Sequence, residues 1–269
     1  MPELPEVETT RRGIAPHVVG KRIDALVIRQ RQLRWPIPKA ANAMRGETVD
    51  SIERRGKYLL MHTASGCALL HLGMSGSLRI VNDKEAPRKH DHVDFVLNGE
   101  TILRFHDPRR FGAFLWTEDD PFEHALLANL GPEPLGDDFG GDYLFAHSRK
   151  RKAPVKNFIM DSRIVVGVGN IYASESLFLA GVRPAIAAGR VSRASYGELA
   201  MHIREVLGNA IAQGGTTLRD FVNPQGSPGY FAQSLFVYGR AGEPCRVCKT
   251  PIKSRVIGQR NSFYCPSCQ

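Results

Sequence analysis

Four cysteines crowd the last 25 residues, in CRVCKTPIKSRVIGQRNSFYCPSC, and they limit the folding of this chain more tightly than any other feature. The spacing is C-x2-C, sixteen residues, then C-x2-C, from Cys245 and Cys248 to Cys265 and Cys268. Two residues between ligands let a tight turn aim both sulfurs at one ion, and four such thiolates close a tetrahedral zinc site. TPIKSRVI and NSFYC read as strands and IGQRN as the turn between them, so the sixteen residues predict a hairpin that returns the second pair to the first. Four protein ligands leave no position for water, which makes the predicted zinc structural. A module this small has no core of its own and leans on the metal to fold. Disulfides fit poorly, because Glu3, Glu6 and Glu8 stand where a secretion signal needs an apolar run. A redox C-x-x-C would need a βαβ context that is missing. The fifth cysteine, Cys67 in GCALLHLGMSG, reads as a small core hydrophobe in a buried strand.

The hairpin carries Lys249, Lys253, Arg255 and Arg260, and no acidic residue lies between Cys245 and Cys268. That one-sided sign runs through the whole chain. Against 27 acidic residues stand 36 Lys and Arg, a net charge of +9 over 269 residues. The excess points to a polyanionic partner, nucleic acid ahead of an anionic membrane surface. At 42% hydrophobic the chain can bury real cores. No stretch approaches the roughly 18 apolar residues of a membrane span, so a soluble, cytoplasmic chain is expected.

The order of elements divides the chain. Residues 5–17 predict a helix, with Pro5 in its first turn, Glu6 and Glu8 early, Arg11 and Arg12 later, and Gly20 as a stop. From about 21 to 116, segments such as YLLMHTA, GSLRIVN, HVDFVLN and TILRFHD are short and β-rich, and Asn98-Gly99 is a hairpin signal. Strands at this spacing predict a sandwich or barrel. GPEPLGDDFGGD (131–142) reads as a linker. Residues 143–214 read as helices, including one from Asn170, its expected N-cap, to Gly181, its expected stop. The turn-rich stretch 214–233 is a loop of functional length.

The first residues, MPELPE, admit two readings. One is a helix start, where proline and acidic residues both belong. The other is chemical. Removal of Met1 would leave Pro2 as a secondary amine, and α-amino groups titrate near ~7.7–8.0, so a neutral fraction exists at physiological pH. Attack on a sugar carbon gives a cationic iminium, an electron sink that eases loss of the adjacent proton. Glu3 could then serve as acid or base. GVGN at 167–170 precedes a predicted helix and forms a candidate phosphate nest.

MPELPEVET, HLGMSG (71–76), DPRRFG (107–112), VVGVGNIYASE (165–175) and the four-cysteine ribbon occur in this order. Together they resemble the formamidopyrimidine-DNA glycosylase family, over the full length of the chain. Leu4 and the DPRRFG block separate it from the related endonuclease VIII enzymes, which favour oxidised pyrimidines. The resemblance implies an α+β multidomain fold: a β-sandwich with an N-terminal helix (1–132), a linker (133–150), a helix-two-turn-helix domain (151–235) and a zinc ribbon (236–269). It implies a bifunctional glycosylase and lyase for oxidised purines in double-stranded DNA, with one structural zinc; a monomer is the default expectation. Position by position it makes Pro2 the nucleophile and Glu3 the acid. Lys57 becomes a strand-borne phosphate contact assisting β-elimination, and Arg260, in the ribbon turn, assists δ-elimination. Met74, Arg109 and Phe111 would fill the gap left by an extruded nucleotide, with Arg109 on the orphaned base. Asn170, Lys156, His90 and Arg151 would be further DNA contacts, and loop 216–230 would close over the flipped base. A lesion-binding protein without chemistry is the alternative, but it would have no use for Pro2, Glu3 and Lys57 together.

Overall fold

A computed structural model describes residues 2–215 and 235–269, so the expected lesion loop 216–230 lies outside the described residues. The described residues form two compact units, one from the N-terminus to Asn129 and one from Leu130 to Ala212 and over the C-terminal residues to Gln269.

The first unit opens with helix α1 (Leu4–Val18). Eight strands follow: β1 (Ile23–Ile28), β2 (Ser51–Arg55), β3 (Tyr58–Thr63), β4 (Gly66–His71), β5 (Ser77–Asn82), β6 (Asp91–Leu97), β7 (Thr101–His106) and β8 (Ala113–Thr117). They pair into two antiparallel four-stranded sheets, ordered β1-β6-β7-β5 and β2-β3-β4-β8. Val7 and Ile14 of α1 share one core with Leu59, Met61 and Leu70 of the second sheet and Phe95, Leu103 and Phe105 of the first. The inner faces of two sheets packed on each other, with the helix joined to the same core, give the sandwich that the short β-rich segments predicted. Cys67 is buried in β4, as a core hydrophobe, and burial pushes its thiol up to about 12. The Asn98-Gly99 hairpin also forms, with both residues left-handed between β6 and β7.

The second unit carries α2 (Gly141–Ser148), α3 (Val155–Met160), α4 (Asn170–Leu179), α5 (Arg193–Ala212) and the hairpin β9 (Lys253–Ile257) with β10 (Arg260–Tyr264). Helix α2 falls inside the glycine-rich 133–150 segment. Its glycine has a packing role there: a Cβ on Gly141 would stand 2.5 Å from the Gly197 Cα of α5. The run of glycines therefore lets two helix backbones touch. Helix α4 ends as its sequence predicted, with Gly181 left-handed at φ +63°. It does not begin as predicted. Gly169 is the N-cap and Asn170 the first helical residue, so the Asn170 side chain is free of capping duty.

Candidate active site and nucleic-acid interface

Glu3 caps α1 in extended backbone (φ −98°, ψ −170°), and the Glu6 carboxylate accepts its N–H at 2.9 Å. Pro2 and Glu3 are both buried. The helix-start reading and the chemical reading of MPELPE are thus compatible, because the cap fixes the backbone that would carry the amine and the acid. One turn on, Glu8 locks α1 to the sandwich. It accepts from Arg11 at 2.9 and 3.0 Å, from Arg12 at 2.8 Å and from Arg54 of β2 at 3.2 Å. Burial alone would raise its carboxyl, but the three guanidiniums hold it down at about 2.

Lys57 is not on a strand, as the resemblance implied. Arg55 and Tyr58 are the last pair of the β2–β3 ladder, and Gly56 (φ +58°) with Lys57 makes the two-residue turn. Across the next strand pair, Tyr58 faces His71, whose ring centroid lies 4.8 Å from the tyrosine's. Burial pushes His71 down, and the charges of Lys57 and Arg34 add to that, to about 4. Its Nδ1 accepts the Gly73 N–H at 3.0 Å, which puts the proton of the neutral ring on Nε2.

HLGMSG and DPRRFG are packed backbone to backbone. A Cβ on Gly73 would meet Phe111 and Gly112 main chain at 2.4 Å, and one on Gly112 would meet the His71 carbonyl at 2.7 Å. Asp107, fully buried, bolts the two loops together: Oδ1 accepts from Ser75 Oγ at 2.9 Å and Oδ2 from the Gly112 N–H at 2.8 Å. Ser75 Oγ in turn accepts the Arg109 N–H at 3.3 Å. On this frame Met74 (38% exposed) and Phe111 (45%) stand out as large apolar side chains in solvent, and the Arg109 guanidinium lies 4.9 Å from the Phe111 ring centre. The three expected gap-filling residues therefore share one rim, beside a cavity of about 650 Å³ that Arg34, His71 and Arg110 also line. His90 lies apart from it, next to His92 and His106 at ring distances of 6.2 and 6.0 Å, in a smaller hollow with Lys89 and Arg110.

In the second unit, Asn170 donates from Nδ2 to the Asn261 carbonyl at 3.0 Å, while Lys156 Nζ donates to Asn170 Oδ1 and Ser262 Oγ, each at 2.5 Å. Lys156 is fully buried. It fastens the start of α4 to β10, so it positions Asn170 and the ribbon together. Arg260 is exposed as the first residue of β10, opposite Ile257, rather than in the turn. The turn is Gly258-Gln259, both left-handed, and it lies against Asn157 of α3. Arg151 is exposed beyond α2, its N–H donated to the Ser148 carbonyl at 3.0 Å.

The four cysteine sulfurs all lie within 4.8 Å of one another, with Cys245 to Cys268 at 3.9 Å and Cys248 to Cys265 at 3.4 Å. A tetrahedron with zinc–sulfur bonds of about 2.3 Å has edges of about 3.8 Å, so the set fits one zinc. The Val247 and Cys268 N–H groups point at the Cys245 and Cys265 sulfurs, each at 3.4 Å, as donors to thiolates.

Asp107 of DPRRFG and Glu175 of VVGVGNIYASE are two buried carboxylates whose roles the sequence does not reveal. Glu175, on α4, accepts three consecutive backbone N–H groups, from Phe236 (2.7 Å), Val237 (3.0 Å) and Tyr238 (2.8 Å). Its burial raises the carboxyl against the pull of those bonds. A lone acidic residue carries no local sign of such partners, because they come from about sixty residues downstream.

Comparisons with known proteins agree with this fold. Residues 1–114 match the formamidopyrimidine-DNA glycosylase N-terminal domain, residues 130–222 the formamidopyrimidine-DNA glycosylase H2TH domain, and residues 242–269 a zinc finger found in FPG and IleRS. The chain is 59% identical to the formamidopyrimidine-DNA glycosylase of Teredinibacter turnerae over 271 residues, covering 100% of both. Among solved structures it is similar to the MutM (Fpg) protein of Thermus thermophilus, at 38% identity and a TM-score of 0.90 over 100% of this chain and 98% of that one. It is also similar to wild-type Lactococcus lactis Fpg in complex with DNA containing N7-benzyl-Fapy-dG. That match has 31% identity and a TM-score of 0.92 over 100% of this chain and 99% of the other.

Proposed function

This chain belongs to the formamidopyrimidine-DNA glycosylase family, whose members are DNA glycosylases of base-excision repair with a structural zinc ion, and from that we propose how its own residues divide the reaction. The substrate is duplex DNA carrying an oxidised purine, 8-oxoguanine or a formamidopyrimidine, and the chain acts as a cytoplasmic monomer. The observation that carries the reading is the fixed start of α1, where Pro2 and the buried carboxyl of Glu3 stand on one rigid cap.

With Met1 removed, the Pro2 nitrogen attacks C1′ of the damaged nucleotide. The glycosidic bond breaks and the base leaves with a proton. Glu3 protonates O4′ as the sugar opens, which leaves an iminium between Pro2 and C1′. Loss of a C2′ proton into that electron sink breaks the C3′–O3′ bond and expels the 3′ phosphate. A second elimination expels the 5′ phosphate. Lys57 and Arg260 are the cations assigned to those departing phosphates, where fixed positive charge lowers the barrier. The domains carrying these parts are taken as 1–132, 151–235 and 236–269.

Extruding the base costs roughly a few kcal/mol of stacking and pairing. Met74 and Phe111 offset it by filling the vacated space, and Arg109 donates to the orphaned base. Asn170 and Arg151 hold phosphates from the second unit and His90 from the first. Lys156 acts through Asn170.

Borohydride reduction during reaction with an 8-oxoguanine·cytosine duplex, followed by peptide mapping, tests the assignment. The expected product is a DNA adduct on Pro2 of protein lacking Met1. An adduct on a lysine would move the nucleophile elsewhere. No adduct, with tight lesion binding intact, would leave a binding protein.

A further inference from the structure

Many arginines of the first unit are spent inside the fold, while others, among them Arg31, Arg45 and three that line one cavity, hold no carboxylate among the described residues. Arg11, Arg29, Arg79 and Arg104 each hold a carboxylate. Arg34, Arg109 and Arg110 hold none among the described residues, and all three line the same cavity, whose lining contains no acidic side chain. Two of the three belong to DPRRFG. The third comes from a different part of the chain, RQLRWP, between β1 and β2.

Arg34 is built into that wall. Its backbone N–H donates to the Gly112 carbonyl at 3.1 Å, which ties it to the end of the DPRRFG loop, and Gly112 is itself held by Asp107. Its guanidinium lies over the Trp35 ring, 4.5 Å from the centroid. Stacking on an aromatic face leaves the in-plane N–H fork pointing outward and removes much of the rotamer freedom that an exposed arginine must lose on binding. The neighbouring cavity residues are His71, with its proton on Nε2, and the apolar pair Met74 and Phe111. A concave wall with cations and donors, no carboxylate, and apolar side chains at its edge fits a DNA backbone beside a disrupted base stack.

We propose that Arg34, stacked on Trp35 and pinned to Gly112, is a phosphate-binding residue that grips the DNA strand at the rim carrying Met74, Arg109 and Phe111. The proposal rests on the DNA-glycosylase reading above. It adds a third loop, residues 29–38, to the interface, and it makes the presentation of Arg34 depend on the aromatic ring next to it.

The test is equilibrium binding of the full-length zinc-loaded protein to a duplex with a tetrahydrofuran abasic analogue opposite cytosine, at several KCl concentrations. Each neutralised phosphate contributes about 0.9 to the slope of log affinity against log salt. Arg34→Ala is expected to lower the slope magnitude by about that amount and to weaken binding roughly tenfold. Arg34→Lys is expected to keep the slope, because the charge remains, while losing part of the affinity with the fork and the stack. A scan with single methylphosphonates then locates the contact: one position weakens wild type and leaves Arg34→Ala unchanged. An unchanged slope for Arg34→Ala overturns the proposal, as does a scan in which every position affects both proteins equally. Wild-type protein that neither excises 8-oxoguanine nor forms the borohydride adduct would instead count against the glycosylase chemistry. Normal excision with no Arg34 effect would count against this inference alone.

Discussion

Single residues here have large consequences when they are buried and paired. Glu8 is the plainest case. Its carboxyl is held at about 2, against an ordinary 4.5, by Arg11, Arg12 and Arg54. A folded-state value below the unfolded one means that the stabilisation is complete above about pH 5 and is lost as the pH falls towards 2. Allowing for solvent screening, the contribution is on the order of 1–2 kcal/mol. Urea melts of wild type and Glu8→Gln should therefore differ most at about pH 6 and converge towards about pH 2. A gap that stays constant with pH would show that the ion pairs are not its source. Neither this network nor the Asp107 bolt was legible from MPELPEVETTRR or DPRRFG as strings. The acidic residues were visible, but Arg54 and Ser75, the partners that give them their roles, lie 46 and 32 residues from Glu8 and Asp107. The cysteines were visible because their chemistry follows from residue type and short spacing, whereas the roles expected of Pro2 and Glu3 came from the resemblance of MPELPEVET and the later motifs to the family.

At the scale of elements, the ribbon shows most clearly what spacing determines. C-x2-C repeated across a hairpin brings four sulfurs together with little help from elsewhere, since each pair is set by a local turn. What spacing leaves open is where the hairpin docks. The turn Gly258-Gln259 lies against Asn157, and β10 is held by Lys156 and Asn170. Stripping the zinc with a strong chelator should release this hairpin. Amide exchange over 245–268 should become fast, and duplex affinity should fall by about one to two orders of magnitude as Lys253, Arg255 and Arg260 lose their common frame. The melting transition of the sandwich core should persist, because Val7, Phe95 and their neighbours share no residue with the zinc site. Exchange that stays slow after verified metal removal would show that docking on α3 and α4 suffices to fold the ribbon. Boundaries of one or two residues were less legible. Lys57 in a turn, Arg260 on a strand and Gly169 as the cap of α4 each depend on where a glycine adopts positive or extended backbone.

For the molecule as a whole, the charge of +9 sets a testable behaviour. Affinity for undamaged duplex should fall linearly with salt on a log–log plot, at about 0.9 per phosphate engaged, and a slope near zero would mean that the basic surface does not meet the DNA backbone. The sequence by itself determined the net charge, the zinc ribbon, and the β-rich and helical segments. Those features depend on composition, periodicity and short spacings, which act before the chain is packed. Only the tertiary structure decided which charges are spent inside the fold and which stay available. Arg11, Arg79 and Arg104 neutralise carboxylates, Lys156 is buried under Asn170 and Ser262, and Arg34, Arg109 and Arg110 converge on one cavity. The reason is physical: an arginine's role is set by the partner that reaches it, and long-range packing chooses that partner.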